Sequence, residues 1–215
     1  MQERTRQVES SCIRRRIVQA AIRLHREIGF RKTTVADIAR GASMSSANVY
    51  RFFPSRQAIE ETVVADLFDR MSAAATLAAR GDTALERLTA ALRTISQLHQ
   101  HRLEHDSKQH ELVAAAVREN WAVALSYADR IKRLVHATIA AGQASGELRP
   151  GCAMATTCCL LEAMEGYLNP SQINAAAARP TFDEMMDFCA GALRHGPRGA
   201  VDPAADIRLK AVAQG

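Results

Sequence analysis

Aromatic residues are scarce in this chain: one Trp, three Tyr and six Phe, 5% of 215 residues. No segment alternates β-branched and polar residues as a half-buried strand would, so a sheet-based architecture is excluded. No uncharged apolar run approaches the ~18 residues that a membrane span needs. The opening MQERTRQVESSC lacks an apolar core segment, so no secretory signal peptide is expected. Five cysteines, an odd number without framework spacing, argue against a disulfide scaffold and for a reducing cytoplasm. The chain has no GxGxxG, no phosphate-binding loop and no recognisable Ser/His/Asp or Cys/His ordering, which leaves catalysis unsupported. No enzyme activity and no cofactor are expected.

Helix formers are abundant instead. Ala, Leu, Arg and Glu dominate, and apolar residues make up 47% of the sequence. The fold class is all-α, with about nine helices. Charge is unevenly placed. Residues 1–56 hold 12 Lys+Arg against 4 Asp+Glu, and the remainder holds 16 against 19. A basic head on a mildly acidic body is the electrostatic footprint of a protein that meets phosphate at one end.

The stretch from Thr33 to Phe53, TTVADIARGASMSSANVYRFF, organises that head. Thr34 and Asp37 have capping-box spacing, and Val35, Ile38, Ala39 and Ala42 follow on one helical face. Ser43-Met44-Ser45 breaks the pattern, and Ser45 can cap a second helix from Ser46. That helix buries Val49 and Phe53, turns Ser46, Ala47, Asn48, Tyr50 and Arg51 outwards, and stops before Pro54. Two short helices joined by about three residues form a helix-turn-helix whose second member enters a DNA major groove.

The wording of this stretch resembles the TetR family of bacterial transcriptional regulators. Thr34, Ile38, Ala39, Ala42, Ser45, Tyr50 and Phe53 match that family's pattern without insertion, with Arg56 in place of its Lys. Ser43 and Ala47 stand where the family has small glycines, and Phe52 where it often has a polar phosphate contact. The resemblance implies a three-helix DNA-binding head over 11–56 and a helical ligand-binding and dimerisation body over 57–195. A loosely ordered tail over 196–215 completes the expected organisation. It implies a homodimeric repressor on a palindromic double-stranded operator, released by an unidentified small effector.

Candidate DNA contacts are therefore Thr34, Ser45, Ser46, Ala47, Asn48, Tyr50, Arg51 and Arg56. Asn48 can read adenine through paired hydrogen bonds, Ala47 can touch a thymine methyl, and Tyr50 and Arg56 suit phosphate. Arg14, Arg15 and Arg16 crowd the first helix, expected from about Ser11 to Ile28. Such a cluster is tolerable if solvated and useful if it approaches phosphate.

In the body, a long helix is expected from Ser55 towards Gly81. Further helices carry Leu85 to Leu98, Gln109 to about Arg118, and Trp121 to Ile139. An apolar helix follows over 151–168, and a last one carries a wide stripe of Phe182, Met185, Met186, Cys189, Ala192 and Leu193. The expected dimer face lies on these last two helices. Candidate effector-pocket residues are His99, Leu103, Trp121, Leu125, Tyr127, Ala128, Met154, Cys158, Leu161 and Met164.

Two other readings remain. His101 and His105, one turn apart, and the cysteines Cys152, Cys158 and Cys189 allow a metal- or redox-responsive regulator of the same fold. An architectural DNA-binding protein without effector is the alternative of another class. No metal site is expected.

Overall fold

A computed structural model describes residues 2–173 and 178–194, and every regular element among them is helical. The head comprises α1 (Gln2–Ile28), α2 (Val35–Gly41) and α3 (Ser46–Tyr50), with a 3-10 turn, Phe30–Lys32, after α1. The body comprises α4 (Arg56–Ala78), α5 (Ala84–His105), α6 (Ser107–Arg118), α7 (Ala122–Ala144), α8 (Ala153–Ala163), α9 (Glu165–Leu168) and α10 (Phe182–Arg194). The tail expected over 196–215 lies outside the described residues. No helix is long and apolar enough to cross a membrane among the described residues.

The local signals at helix starts operate as their chemistry dictates. The Thr34 hydroxyl accepts from Asp37 N at 3.1 Å, and the Asp37 carboxylate accepts from Thr34 N at 3.1 Å. Ser45 accepts from Asn48 N, and Ser55 from Ala58 N, so α3 and α4 are each capped by a serine. Ser43, in the turn between α2 and α3, has φ 55. A left-handed backbone at a residue with a Cβ costs about 1–2 kcal/mol.

Three expectations are corrected. Helix α1 begins at Gln2 rather than near Ser11. Residues 2–10 are polar but include Gln, Glu and Arg, which favour helix, and contain no glycine or proline. The helix buries His25 (1% exposed) near its end, whereas Ile28 is 41% exposed. Gly29, at φ 87, turns the chain so that Phe30 packs inward instead.

The apolar segment over 151–168 is not one continuous helix. It breaks at Met164, which leaves helical geometry between α8 and α9. Met154, Cys159 and Ala163 of α8 remain exposed. The stripe on α10 is also differently turned. Met186, Cys189 and Leu193 are buried in their own chain, and Phe182 stacks edge-on against Tyr167 beneath the Arg93 guanidinium. Phe188, on the other side of α10, is 74% exposed.

The body is built on α4, α5 and α7. Gly142 of α7 permits close packing where α5 begins, since a Cβ there would lie 2.6 Å from the Ala84 Cβ. Leu148, in the connector after α7, fills the other side of the same contact. Head and body meet along α1 and α6. Arg26 pairs with Asp106 at 2.7 Å, Arg31 with Glu111 at 3.2 Å, and Lys108 donates to the Glu27 carbonyl.

Candidate nucleic-acid interface and effector cavity

Helix α3 offers two kinds of side chain. Val49 is fully buried and anchors the helix on the head core, as does Phe53 just beyond it. Ala47, Tyr50 and Arg51 are exposed, and Ser46 and Asn48 are half-buried. The arrangement presents a hydroxyl, a methyl, a carboxamide, a phenol and a guanidinium from little more than one helical turn. Thr34 and Ser45 are engaged as caps, so their hydroxyls first serve the fold. Hydrogen bonds from Thr34 hold the Asp37 carboxyl below the usual carboxylate range.

Two arginines of the head also serve the fold. Arg14 donates to the Phe52 carbonyl at 2.6 Å and covers the Phe53 ring at 4.4 Å, although it is exposed like Arg15 and Arg16. Arg56 donates to the carbonyls of Thr33 at 3.1 Å and Arg31 at 3.4 Å. Its Nε lies 3.0 Å from Glu60 Oε1, a carboxylate side chain 5% exposed and pushed up by burial. These contacts lock the start of α4 to the segment before α2. Arg56→Ala is therefore expected to lower stability by about 1–3 kcal/mol, the cost of leaving a buried acceptor unpaired. Denaturant unfolding measures this, and an unchanged midpoint would contradict the lock.

The second feature is a cavity of about 290 Å³ in the body. Ile95 of α5, Tyr127 and Ile131 of α7, Leu161 of α8 and Glu165 of α9 contribute to its wall, with Asn169 and Pro170 beyond α9. Among the candidates from sequence, Leu125, Tyr127, Ala128 and Leu161 line it together. The others lie elsewhere. His99 and Met164 are fully buried, and Trp121 is buried with its indole N–H donating to Glu119. Met154 is exposed on α8, Cys158 is half-buried, and Leu103 lines a separate groove with Gln100 and Phe182. Ile95 lies within the helix expected over Leu85 to Leu98, and Asn169-Pro170 follow the apolar segment over 151–168. Only tertiary packing brings them to one wall.

The cavity is mechanically joined to α4. Tyr127 stacks on Phe68 of α4 with ring centroids 4.2 Å apart and planes 7° from parallel. The stretch from Phe68 back to Arg56 runs within the same helix.

One histidine of the head, His25, and one of the body, His99, are buried without charge. Burial, then Arg56, lowers His25 to about 4; burial, then Arg102 and His110, lowers His99 to about 3. The unfolded chain binds a proton at each near pH 6.5, and the folded chain does not until far lower pH. Stability from these groups is thus complete above pH 6.5 and falls as pH drops towards about 4 and 3. Each contributes up to about 1.4 kcal/mol per pH unit in that window. Thermal unfolding between about pH 7 and 4 should show the decline, and His25→Leu should make it shallower. An equal slope in that variant would contradict the assignment for His25.

His101 and His105 stack at 4.4 Å. Among the described residues no group of three or more His, Cys, Asp or Glu could hold a metal ion.

The two halves match two family models. Residues 17–62 match the bacterial regulatory proteins of the tetR family, and residues 84–189 match the tetracyclin repressor-like C-terminal domain. The chain belongs to the TetR family of transcriptional regulators, whose members are DNA-binding proteins rather than enzymes. Among solved structures, RolR in complex with resorcinol is similar, with TM-score 0.60 and 18% identity over 94% of this chain and 93% of that one. The TetR family regulator PfmR from Thermus thermophilus gives 0.57 and 18%, over 85% and 99%. The fatty acid degradation regulator FadR from Bacillus halodurans gives 0.58 and 15%, over 87% and 97%. These identities speak for the fold. No curated protein matches the sequence.

Proposed function

We propose that the protein is a homodimeric repressor, working in the cytoplasm, that leaves a palindromic operator when a small apolar or amphipathic organic ligand fills its cavity. The observation that carries this reading is α4 itself: one helix bears Arg56 at the head and Phe68 against the cavity's Tyr127. A ligand that displaces Tyr127 acts directly on the helix that sets the head's position. Release requires that the ligand prefer the arrangement whose heads miss their half-sites. In this reading Ser46, Ala47 and Asn48 face bases, and Tyr50 and Arg51 face phosphate. Thr34, Ser45 and Arg56 hold the motif in shape.

The dimer face is the exposed apolar side of α8 and α10, where Cys159, Ala163, Phe188 and Ala192 line one groove. The cavity volume suits a single-ring or short-chain molecule, and RolR's structure holds resorcinol, a ligand of that size.

Filling the cavity tests the reading. Ala128→Trp should leave folding and operator binding intact while abolishing ligand-induced release, a coupling of about 5–150-fold in the wild type. If Ala128→Trp still responds to organic ligands, the cavity is not the effector site. If only zinc, copper or peroxide releases DNA, and His101→Ala or Cys158→Ala abolishes that release, the sensor alternative replaces it.

A further inference from the structure

Behind the cavity lies a polar cluster that the fold does not satisfy. His99, Arg102, His110 and Tyr127 are all buried. The Arg102 guanidinium has two neighbours at hydrogen-bond distance, the Met71 Sδ at 3.4 Å and the His99 Nδ1 at 3.3 Å. A thioether is a weak acceptor, and no carboxylate of the described residues comes within ion-pair distance of this cation. Three more polar atoms are buried without a partner: His99 Nε2, His110 Nδ1 and the Tyr127 hydroxyl. Buried cations and polar atoms are normally paired, because water's contribution is otherwise lost.

The cluster adjoins the cavity on three sides. Tyr127 belongs to both. Ile95, on the cavity wall, stands one helical turn before His99 on α5. The backbone of Pro170, another wall residue, acts on His110 and partly offsets the lowering of its pKa by burial and Arg102.

We infer that the effector is a small amphipathic organic acid. This rests on the organic-effector reading above and names its chemical class. The Tyr127 hydroxyl, closed off without a ligand, turns to donate to the carboxylate in front of Arg102, and the apolar body lies against Ile95, Leu125, Ala128, Ile131 and Leu161. Burial raises the Tyr127 phenol, with Arg102 and Arg130 opposing, so it stays protonated and donates.

Glu165, also on the wall, sets the ligand's direction. Its carboxylate is held by the Asn169 amide at 3.1 Å and the Gln172 amide at 2.8 Å. The acid head points away from Glu165 and towards Tyr127. An organic cation directed at Tyr127 would meet the buried Arg102 guanidinium and is selected against.

Calorimetric titration of the full-length protein with benzoate, benzamide, benzylamine, hexanoate and hexanamide tests the inference, alongside operator release by each. The acids should bind about tenfold or more tighter than their amides, as expected for a charge-assisted hydrogen bond in place of a neutral one. Arg102→Met, which removes the charge beside Met71, should erase that preference. Tyr127→Phe keeps the ring that stacks on Phe68 and should weaken the acids alone; it serves equally if Arg102→Met fails to fold. Amides binding as tightly as acids, acids unaffected by either variant, or no binding of the acids at millimolar concentration would each overturn the inference. If an amide releases the operator and the acids do not, the charge assignment fails and the organic-effector reading stands. If no organic probe releases DNA while zinc or peroxide does, both fail together.

Discussion

Phe188→Glu is expected to turn the proposed dimer into monomers and to weaken operator binding by about 10²–10⁴-fold. The ring is 74% exposed on α10, in a groove shared with Cys159 and Ala163 of α8. Exposed apolar side chains gathered in this way mark an association surface. A two-fold axis would place each Phe188 on the same patch of the partner, so one substitution introduces two charges into one interface. The loss on DNA follows from effective concentration. A dimer binds its second half-site intramolecularly, and avidity of this kind contributes about 10²–10⁴-fold. Sedimentation at micromolar concentration decides the first part, and fluorescence anisotropy on a two-half-site duplex decides the second. A Phe188→Glu protein that still sediments as a dimer places the interface elsewhere.

Asn48→Ala should cost about 1–3 kcal/mol per half-site on the operator and almost nothing on random DNA. Asn48 is half-buried on α3 between the exposed Ala47 and the buried Val49. Its backbone N–H is already held by Ser45, which fixes where the side chain begins. A carboxamide can donate to and accept from one adenine edge, and a phosphate contact cannot discriminate in that way. Equal weakening on every sequence would make Asn48 a phosphate contact instead.

Features written in short-range hydrogen bonds were legible from sequence. Thr34 with Asp37, Ser45 before α3 and Ser55 before α4 each need only their own next three residues. The ion pair of Arg56 with Glu60 has ordinary helical spacing, but its bonds to Thr33 and Arg31 span 23 and 25 residues. No local pattern reveals that this arginine is turned inward. On α10 periodicity grouped Met186, Cys189 and Leu193 on one stripe, but it could not tell that this stripe packs against its own chain while Phe188 stays outside. The cavity was half legible. Tyr127, Ala128 and Leu161 follow from which helices surround it, whereas Asn169 and Pro170 arrive from beyond the break at Met164. Arg102 was invisible because a lone arginine near a helix end ordinarily reads as solvated.

The central claim is that two copies of α3 read a symmetric duplex. Selection of bound fragments from random double-stranded DNA by the wild-type protein tests it most directly. The account predicts an enriched inverted repeat whose half-site centres lie about one helical turn, roughly 34–36 Å, or a multiple of it apart. One position in each half should lose its preference when the selection is repeated with Asn48→Ala. Enrichment of no sequence, or of a site without two-fold symmetry, would contradict it.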